Sequence, residues 1–273
     1  MPSAAAANAS GCQYDASVHD DDGHIKTSWA ALCSDFYINQ KLALKLDLPT
    51  ARDTVLHLFD RVRRELPMLN RFRRFEDELA LESDQLYSTY CWLALQQTSI
   101  RSGWVNPDGV DAAYRLHRLL LDLAPAFLSI SPMDVDYLEL VYGFDLDASG
   151  NRNEIIFDAL LADSPLAGMV DGGREAVLDA QPLLGIALND SCELQAFVEV
   201  KSRTRAMEIS AEQYDDQPIS VYLTVRQYAA MHELTDMASA FGTLAGYGER
   251  LCEQRVLPHV VVPIRRAILS SPE

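Results

Sequence analysis

The spacing of hydrophobic and polar residues changes along the chain and marks its elements. Leu42, Leu44 and Leu46 alternate with mostly polar residues, and this two-residue period predicts a half-buried strand. In the next stretch, apolar residues recur at helical spacing from Val55 to Leu66. The first structured elements are therefore a strand and an amphipathic helix.

The rest of the first half continues this mixed order. The segments "RFRRFEDELALES", "YCWLALQQ" and "SIRSGWVN" predict strands. A second helix follows Asn106 and Pro107, a good cap and a good first-turn residue, and it runs to Pro125. The segment "VDYLELVYGFDLD" is apolar on both faces and predicts a central strand. This order is that of a split β-α-β unit of ferredoxin-like type.

The second half predicts a similar set of elements. "PLLGIALND", "CELQAFVEVKSRTRAMEIS" and "PISVYLTVRQYA" have the pattern of strands, and "ELTDMASAFGTLAGYGERLCEQRVL" has that of a long helix. The final "HVVVPIRRAIL" is apolar enough to dock, but Pro263 restricts it to an edge strand. "NEIIFDALLADSPLAG" predicts a short helix, and "VDGGREAVLDA" predicts a linker.

These elements predict an α+β protein of two fused ferredoxin-like (split β-α-β) layers, with antiparallel sheets and three main helices. Residues 1–34 contain many Ala, Asp, Ser and Gly residues without a sustained period, which predicts a disordered acidic tail. Residues 35–170 are then a first α+β unit, and residues 171–273 are a second unit packed on the first.

Charge and cysteine content restrict the class of protein. The formal net charge of the 273 residues is −17, which disfavours general nucleic-acid binding and attachment to anionic membranes. No apolar run is long enough to span a membrane. Five cysteines without a C-x-x-C pair suggest neither a disulfide framework nor a zinc site, and they fit a reducing cytoplasm.

The element order also resembles a known group of proteins. The segment from "CWLALQQ" to "FDLD", then "ALLADSPLAG" and "ISVYLTVRQYAAMHELTDMASAFGTLAGYGERL", is similar to a poorly characterised, sporadically distributed family of prokaryotic proteins of about this length with no assigned activity. The resemblance covers roughly residues 36–256 and includes no catalytic motif. It implies a cytoplasmic accessory protein, and it assigns no functional residue.

The segment "DLDASGNRNE", residues 145–154, resembles the first part of a calcium loop. Asp145, Asp147 and Gly150 fall at the positions of an EF-hand loop, but Ile156 stands where the bidentate glutamate belongs. Asp, Ser, Gly and Asn are also the ordinary residues of turns. A polar connection is therefore the main interpretation, and calcium binding at residues 145–154 is an alternative.

A second candidate site has the residue types of a divalent-metal nuclease. Asp190 precedes a strand that carries Glu199 and Lys201 on one face, so two carboxylates could hold Mg²⁺ while the lysine orients a water molecule. The same pattern is typical of the polar face of an antiparallel strand, where opposite charges pair.

A third candidate is a local concentration of arginines in an acidic chain. The six residues are Arg61, Arg63, Arg64, Arg71, Arg73 and Arg74. A solvated surface is the default interpretation, and a patch for an anion or an acidic partner is the alternative, because arginine forks suit carboxylate and phosphate.

The six histidines lack the spacing of a helical metal pair, while a serine or cysteine nucleophile with a histidine would meet only in space. We therefore predict a cytoplasmic binding or assembly module without catalytic activity and without a cofactor. The metal-dependent nuclease is the alternative, and calcium binding comes third. The sequence pattern leaves open whether the chain binds a protein partner and whether it forms a homo-oligomer.

Overall fold

The computed structural model of this chain describes residues 29–85, 88–172, 174–228 and 236–270. Its strands are β1 (Asp35–Leu44), β2 (Arg71–Arg74), β3 (Glu78–Glu82), β4 (Tyr90–Gln96), β5 (Ser99–Val105), β6 (Val135–Leu146), β7 (Leu183–Ala187), β8 (Leu194–Lys201) and β9 (Ile219–Tyr228). They form one nine-stranded sheet in the order β2-β3-β4-β5-β1-β6-β9-β8-β7, and every neighbouring pair is antiparallel. The predicted α+β class is confirmed.

Most of the predicted helices are also present. The helices are α1 (Arg52–Glu65), α2 (Val110–Leu128), α3 (Arg152–Leu160), α4 (Ala206–Ala211), α5 (Asp236–Leu251), a π-helix (Cys252–Val261) and α6 (Val262–Ser270). None of the described helices is long and apolar enough to cross a membrane. The first 28 residues of the predicted acidic tail lie outside the described residues.

Two predicted strands are wrong in whole or in part. The strand predicted to continue through "KSRTRAMEIS" ends at Lys201, and α4 follows. The predicted edge strand "HVVVPIRRAIL" is helical, because it belongs to the π-helix and α6. Val256, Val261 and Ile264 are buried at helical spacing in this region, so its apolar residues line one side of a helix rather than one face of a strand.

The strands on the two sides of the central β1–β6 pair follow a similar order along the chain. In the first half, β1 and α1 precede the meander β3-β4-β5 and then α2; in the second half, β6 and α3 precede β7-β8-β9 and then α5. The two series meet where β1 pairs with β6, at the centre of the sheet. The described parts of the two halves differ: β2 adds a further strand beside β3, and α4 lies between β8 and β9, whereas β4 and β5 have no helix between them. In addition, α3 has 9 residues where α1 has 14.

Helices pack on one face of the sheet. α2 packs on β1 and β5, α5 packs on β6 and β9, and the π-helix packs on β9. Ile38, Leu140 and Val225, which point to this face, are fully buried. The opposite face carries half-exposed polar and aromatic side chains such as Trp92 and Arg226. The core therefore lies between the sheet and a single helical layer.

Helix α5 approaches the sheet closely at Gly248. A Cβ atom there would lie 2.2 Å from the ring of Tyr142, so no other residue fits without displacing that ring. The Tyr142 hydroxyl lies 2.6 Å from the hydroxyl of Tyr114 on α2, a hydrogen bond inside the core. These contacts join α2, β6 and α5.

A fully buried arginine fixes the start of α3. The Arg152 side chain has no exposed surface, and its Nε donates to the Ser202 carbonyl at 3.0 Å and to Thr204 Oγ1 at 2.9 Å. Its Nη1 donates to the Asp215 carbonyl at 2.7 Å, and its Nη2 lies 3.4 Å from Glu208 Oε1. One guanidinium thus holds α3, the loop after β8, α4 and the turn at residue 215 together.

The counter-ion Glu208 is itself held by backbone donors. Its carboxylate accepts hydrogen bonds from the N–H of Asp215 at 2.9 Å and from the N–H of Arg205 at 2.6 Å. These bonds favour the ionised form, so the pKa of the Glu208 carboxyl is lowered. The ion pair is therefore formed at neutral pH.

We expect Glu208→Gln to lower the free energy of unfolding by about 3 kcal/mol at pH 7, because it leaves the Arg152 charge buried without its counter-ion. A carboxyl with a lowered pKa stabilises the fold above its unfolded pKa, and this stabilisation is lost as the pH falls through the folded pKa. The difference between wild type and variant should therefore shrink at acidic pH in urea denaturation. Glu212→Gln, at the exposed end of α4, is the control. Equal stability of wild type and Glu208→Gln at pH 7 would contradict this account.

Candidate functional site

The loop 145–154 uses its oxygen atoms within the protein. Asp145 accepts a hydrogen bond from the Tyr37 hydroxyl at 3.2 Å, and Asp147 accepts one from Ser34 Oγ at 3.0 Å. Asn151 caps α3 by accepting from the N–H of Asn153. Burial raises the pKa of Asp145. This arrangement is that of a structural turn, and calcium binding here stays a prediction.

The proposed nuclease residues do not converge. Lys201 Nζ lies 3.1 Å from Glu199 Oε1, so the two form an ion pair on the sheet surface. Asp190 lies in the turn before β8, and Leu194 to Glu199 spans about 17 Å along that strand. Within the described ranges, no group of three or more His, Cys, Asp or Glu side chains could hold a metal ion.

The arginine cluster is divided between α1 and β2, and most of its members are paired. The ion pairs are Arg61–Glu65, Arg63–Asp60, Arg71–Asp84 and Arg73–Glu82. All six arginines are exposed or half-exposed. An anion would have to compete with these carboxylates, so the patch stays a prediction.

A serine and a histidine meet in the core. Ser102 Oγ lies 2.7 Å from His117 Nδ1 and 3.2 Å from Gln40 Oε1. Both Ser102 and His117 are fully buried, and burial lowers the pKa of His117 to about 3. The geometry resembles a nucleophile and base, but no substrate can reach this pair in the closed core. The contact joins β5 to α2 inside the core.

An accessible cleft lies beneath the β7 end of the sheet. Its volume is about 340 Å³. One wall is formed by Leu184, Ile186, Val198 and Leu223 on the helical face of the sheet. These side chains are apolar, so the wall offers no hydrogen bond to a ligand.

The cleft exists because α3 is short. Leu160, the last residue of α3, and Leu161, its C-cap, line one end of the cleft. The counterpart helix α1 is five residues longer, 14 against 9. Beyond Leu161, the helical face of β7 and β8 borders the cleft, while α5 and the π-helix pack on β9.

The second wall is the π-helix. Val256 and Val260 provide apolar surface, and Arg255 and His259 are the polar lining residues on the same helix. Pro258 lies within this helix. In an α-helix its ring would clash with the carbonyl four residues earlier, and the wider π turn accommodates it. π turns occur frequently at functional sites.

Arg255 and His259 are free to meet a ligand. Both side chains are exposed, and neither forms an ion pair with any residue in the described part of the chain. Arg255 therefore places a positive charge at the edge of an apolar cleft. The cleft thus combines an apolar surface with one positive group, the composition of a ligand site.

Sequence reasoning did not find this cleft. Its walls come from elements that are distant along the chain, and the π-helix was predicted partly as a strand. The available signal was the helical spacing of Val256, Val261 and Ile264.

No family model matches the chain, and no curated protein matches it.

The buried histidine predicts a specific pH dependence. His117 is neutral in the folded protein, and its unfolded pKa of about 6.5 lies above the folded value of about 3. Between these values the unfolded state binds more protons, so stability falls as the pH falls, by about 2 kcal/mol from pH 6.5 to pH 5. In urea denaturation, the His117→Gln variant should not show this loss of stability between pH 6.5 and pH 5. His57→Gln, on the exposed side of α1, should retain it. A parallel pH profile for wild type and His117→Gln would contradict the assignment.

Proposed function

We propose that this protein is a binding module for a small amphiphilic anion, an alkyl or acyl chain that ends in a carboxylate. The proposal refines the predicted binding or assembly module without catalytic activity. The observation that carries it is the cleft between the sheet and the π-helix, with Arg255 and His259 beside an otherwise apolar lining.

The size of the cleft limits the ligand. A volume of 340 Å³ is at the lower end of the usual range for ligand sites. Since a water molecule occupies about 30 Å³ in the liquid, the cleft corresponds to roughly 11 water volumes. A ligand of about this many heavy atoms, such as decanoate, fits the space.

The lining selects an apolar chain over a polar one. Side chains such as Leu184, Val198 and Val260 cannot replace the hydrogen bonds that a polar ligand makes with water. Displacing water from these walls with alkyl groups contributes about 25 cal/mol for each Å² that is buried.

The positive charge of Arg255 favours a ligand whose alkyl chain ends in a carboxylate. A guanidinium binds a carboxylate through two parallel hydrogen bonds, which are stronger than bonds between neutral groups. The His259 ring is the second donor or acceptor available at the cleft. An alcohol or an amine of equal length would lose the interaction with Arg255.

We also propose a duplicated architecture. The predicted pair of ferredoxin-like layers corresponds, once β2 and α4 are set aside as additions, to two β-α-β-β-β-α series that meet at the β1 and β6 pair. The order of elements and the strand neighbours support the duplication. The ligand cleft then belongs to the second series, whose helix after the first strand is shorter.

Isothermal titration of the purified protein with decanoate and with decan-1-ol tests the function. At about −0.5 kcal/mol for each of its 12 heavy atoms, decanoate should bind with a Kd on the order of 10–100 μM. Arg255→Met should weaken the binding of decanoate about tenfold and leave the binding of decan-1-ol unchanged, because only the charge-assisted hydrogen bond is lost. Val198→Phe, which fills the cleft from a strand, should abolish binding of both.

Arg266→Met is the matched control, because it removes an exposed arginine from the neighbouring helix α6. It should bind decanoate as wild type does. The proposal fails if decanoate gives no heat at millimolar concentration, or if Val198→Phe, with an unchanged melting temperature, binds decanoate as tightly as wild type.

A further inference from the structure

The strand β7 forms one edge of the sheet, and half of its backbone groups point outward. The Pro182 carbonyl accepts from the N–H of Val200, and the N–H of Leu188 donates to the Leu194 carbonyl. In an antiparallel pair such bonds occur at every second residue, so even-numbered residues of this strand bond to β8. Odd-numbered residues therefore direct their N–H and C=O groups away from the sheet. These residues are Leu183, Gly185 and Ala187.

Within the described part of the chain, β7 carries no charged residue or proline inside the strand, and no strand pairs with its outer edge. All five residues of β7 are uncharged, and Leu183 and Leu184 are 64% and 63% exposed. Natural sheets protect their edges with charged residues, proline or a covering element. The opposite edge has this protection, because the sequence of β2 is "RFRR".

The proposed internal repeat also indicates that a further strand can pair with β7. β7 occupies the place in the second half that β3 occupies in the first. β3 is covered by pairing with β2, from Arg71↔Glu82 to Arg74↔Leu79. No described strand covers β7. The position next to β7 is therefore one that this architecture fills with a strand in its other half.

We propose that a second copy of this chain fills that position, with the two β7 strands pairing antiparallel about a two-fold axis at Gly185. In this register Gly185 faces Gly185 of the other copy, and Leu183 faces Ala187. All three are odd-numbered, so the outward groups of both copies meet as hydrogen-bonded pairs. No other antiparallel register keeps all five residues of both strands paired.

The side chains of β7 are complementary to themselves in the same register. Leu184 of one copy faces Ile186 of the other on the helical side of the sheet, and both residues line the ligand cleft. The two clefts then adjoin across the dimer axis. No charged residue of β7 opposes another, which fits association between chains that each carry −17.

The expected dimer is weak. Five residues from each copy bury less than the roughly 1,200–2,000 Å² of a stable interface. Repulsion between two acidic chains opposes association and is screened by salt. The dimer should therefore dissociate on dilution through the micromolar range and strengthen when the salt concentration rises. This inference does not depend on the ligand, because the backbone groups alone define the register.

Cysteine cross-linking in the full chain tests the register. Cys12 and Cys192 are first replaced by serine, and Leu183→Cys and Ala187→Cys are then made separately in that background. Paired residues at the interface have Cα atoms about 5.5 Å apart, which a disulfide can bridge. Two copies of Leu183 would be about 14 Å apart, which it cannot. A mixture of the two proteins should form a covalent dimer under mild oxidation, and neither protein should do so alone.

Analytical ultracentrifugation supplies an independent readout. Ala187→Pro removes an outward N–H and leaves every β7–β8 bond in place, so it should raise the dimer dissociation constant at least tenfold with an unchanged circular dichroism spectrum. Met133→Lys, at a side chain that is 85% exposed elsewhere, should leave it unchanged. A wild-type protein that is monomeric throughout the micromolar range at high salt overturns the proposal. Equal cross-linking of the single variants and the mixture also overturns it. Decanoate binding by a monomer would leave the proposed function intact.

Discussion

A buried positive charge imposes the geometry on which the second half of the protein depends. Arg152 has no exposed surface, and each of its donor groups must find an acceptor, because an unpaired buried charge costs several kcal/mol. The acceptors come from the loop after β8, from α4 and from the turn at residue 215. This network fixes where α3 begins. Since α3 has only nine residues, it also fixes where the helical cover ends and the cleft starts.

The ligand cleft and the free edge of β7 both result from structural differences between the two halves of the sheet. The first half has a long α1, which packs on α2, and the extra strand β2, which pairs with β3 at the edge of the sheet. The second half has a short α3 and no described counterpart of β2, which leaves a cleft on the face and free backbone groups at the edge. The cleft and the free edge are thus recognised by comparing the second half of the sheet with the first. The closed Ser102–His117 pair shows that contact between reactive groups is not enough, since access is also required.

The sequence predicted the elements whose pattern is local. The alternating residues of β1, β6 and β9 and the helical stripes of α1, α2 and α5 were found, because burial on one face leaves a period in the chain. The C-terminal helices were missed, since a valine-rich run with Pro263 has the composition of a strand. The burial of Arg152 had no signal either, because arginines are mostly exposed. Glu199 and Lys201 were correctly placed on one face, but their pairing with each other depends on side-chain conformation.

The π-helix between α5 and α6 also constrains how this chain can vary. α6 packs against α3, and its orientation is set by the number of residues that precede it. Removing one residue between Leu251 and Val262 would turn α6 by roughly a quarter of a turn about its axis and direct its buried Ile264 away from the core. Insertions and deletions should therefore be excluded from this segment even where substitutions are tolerated.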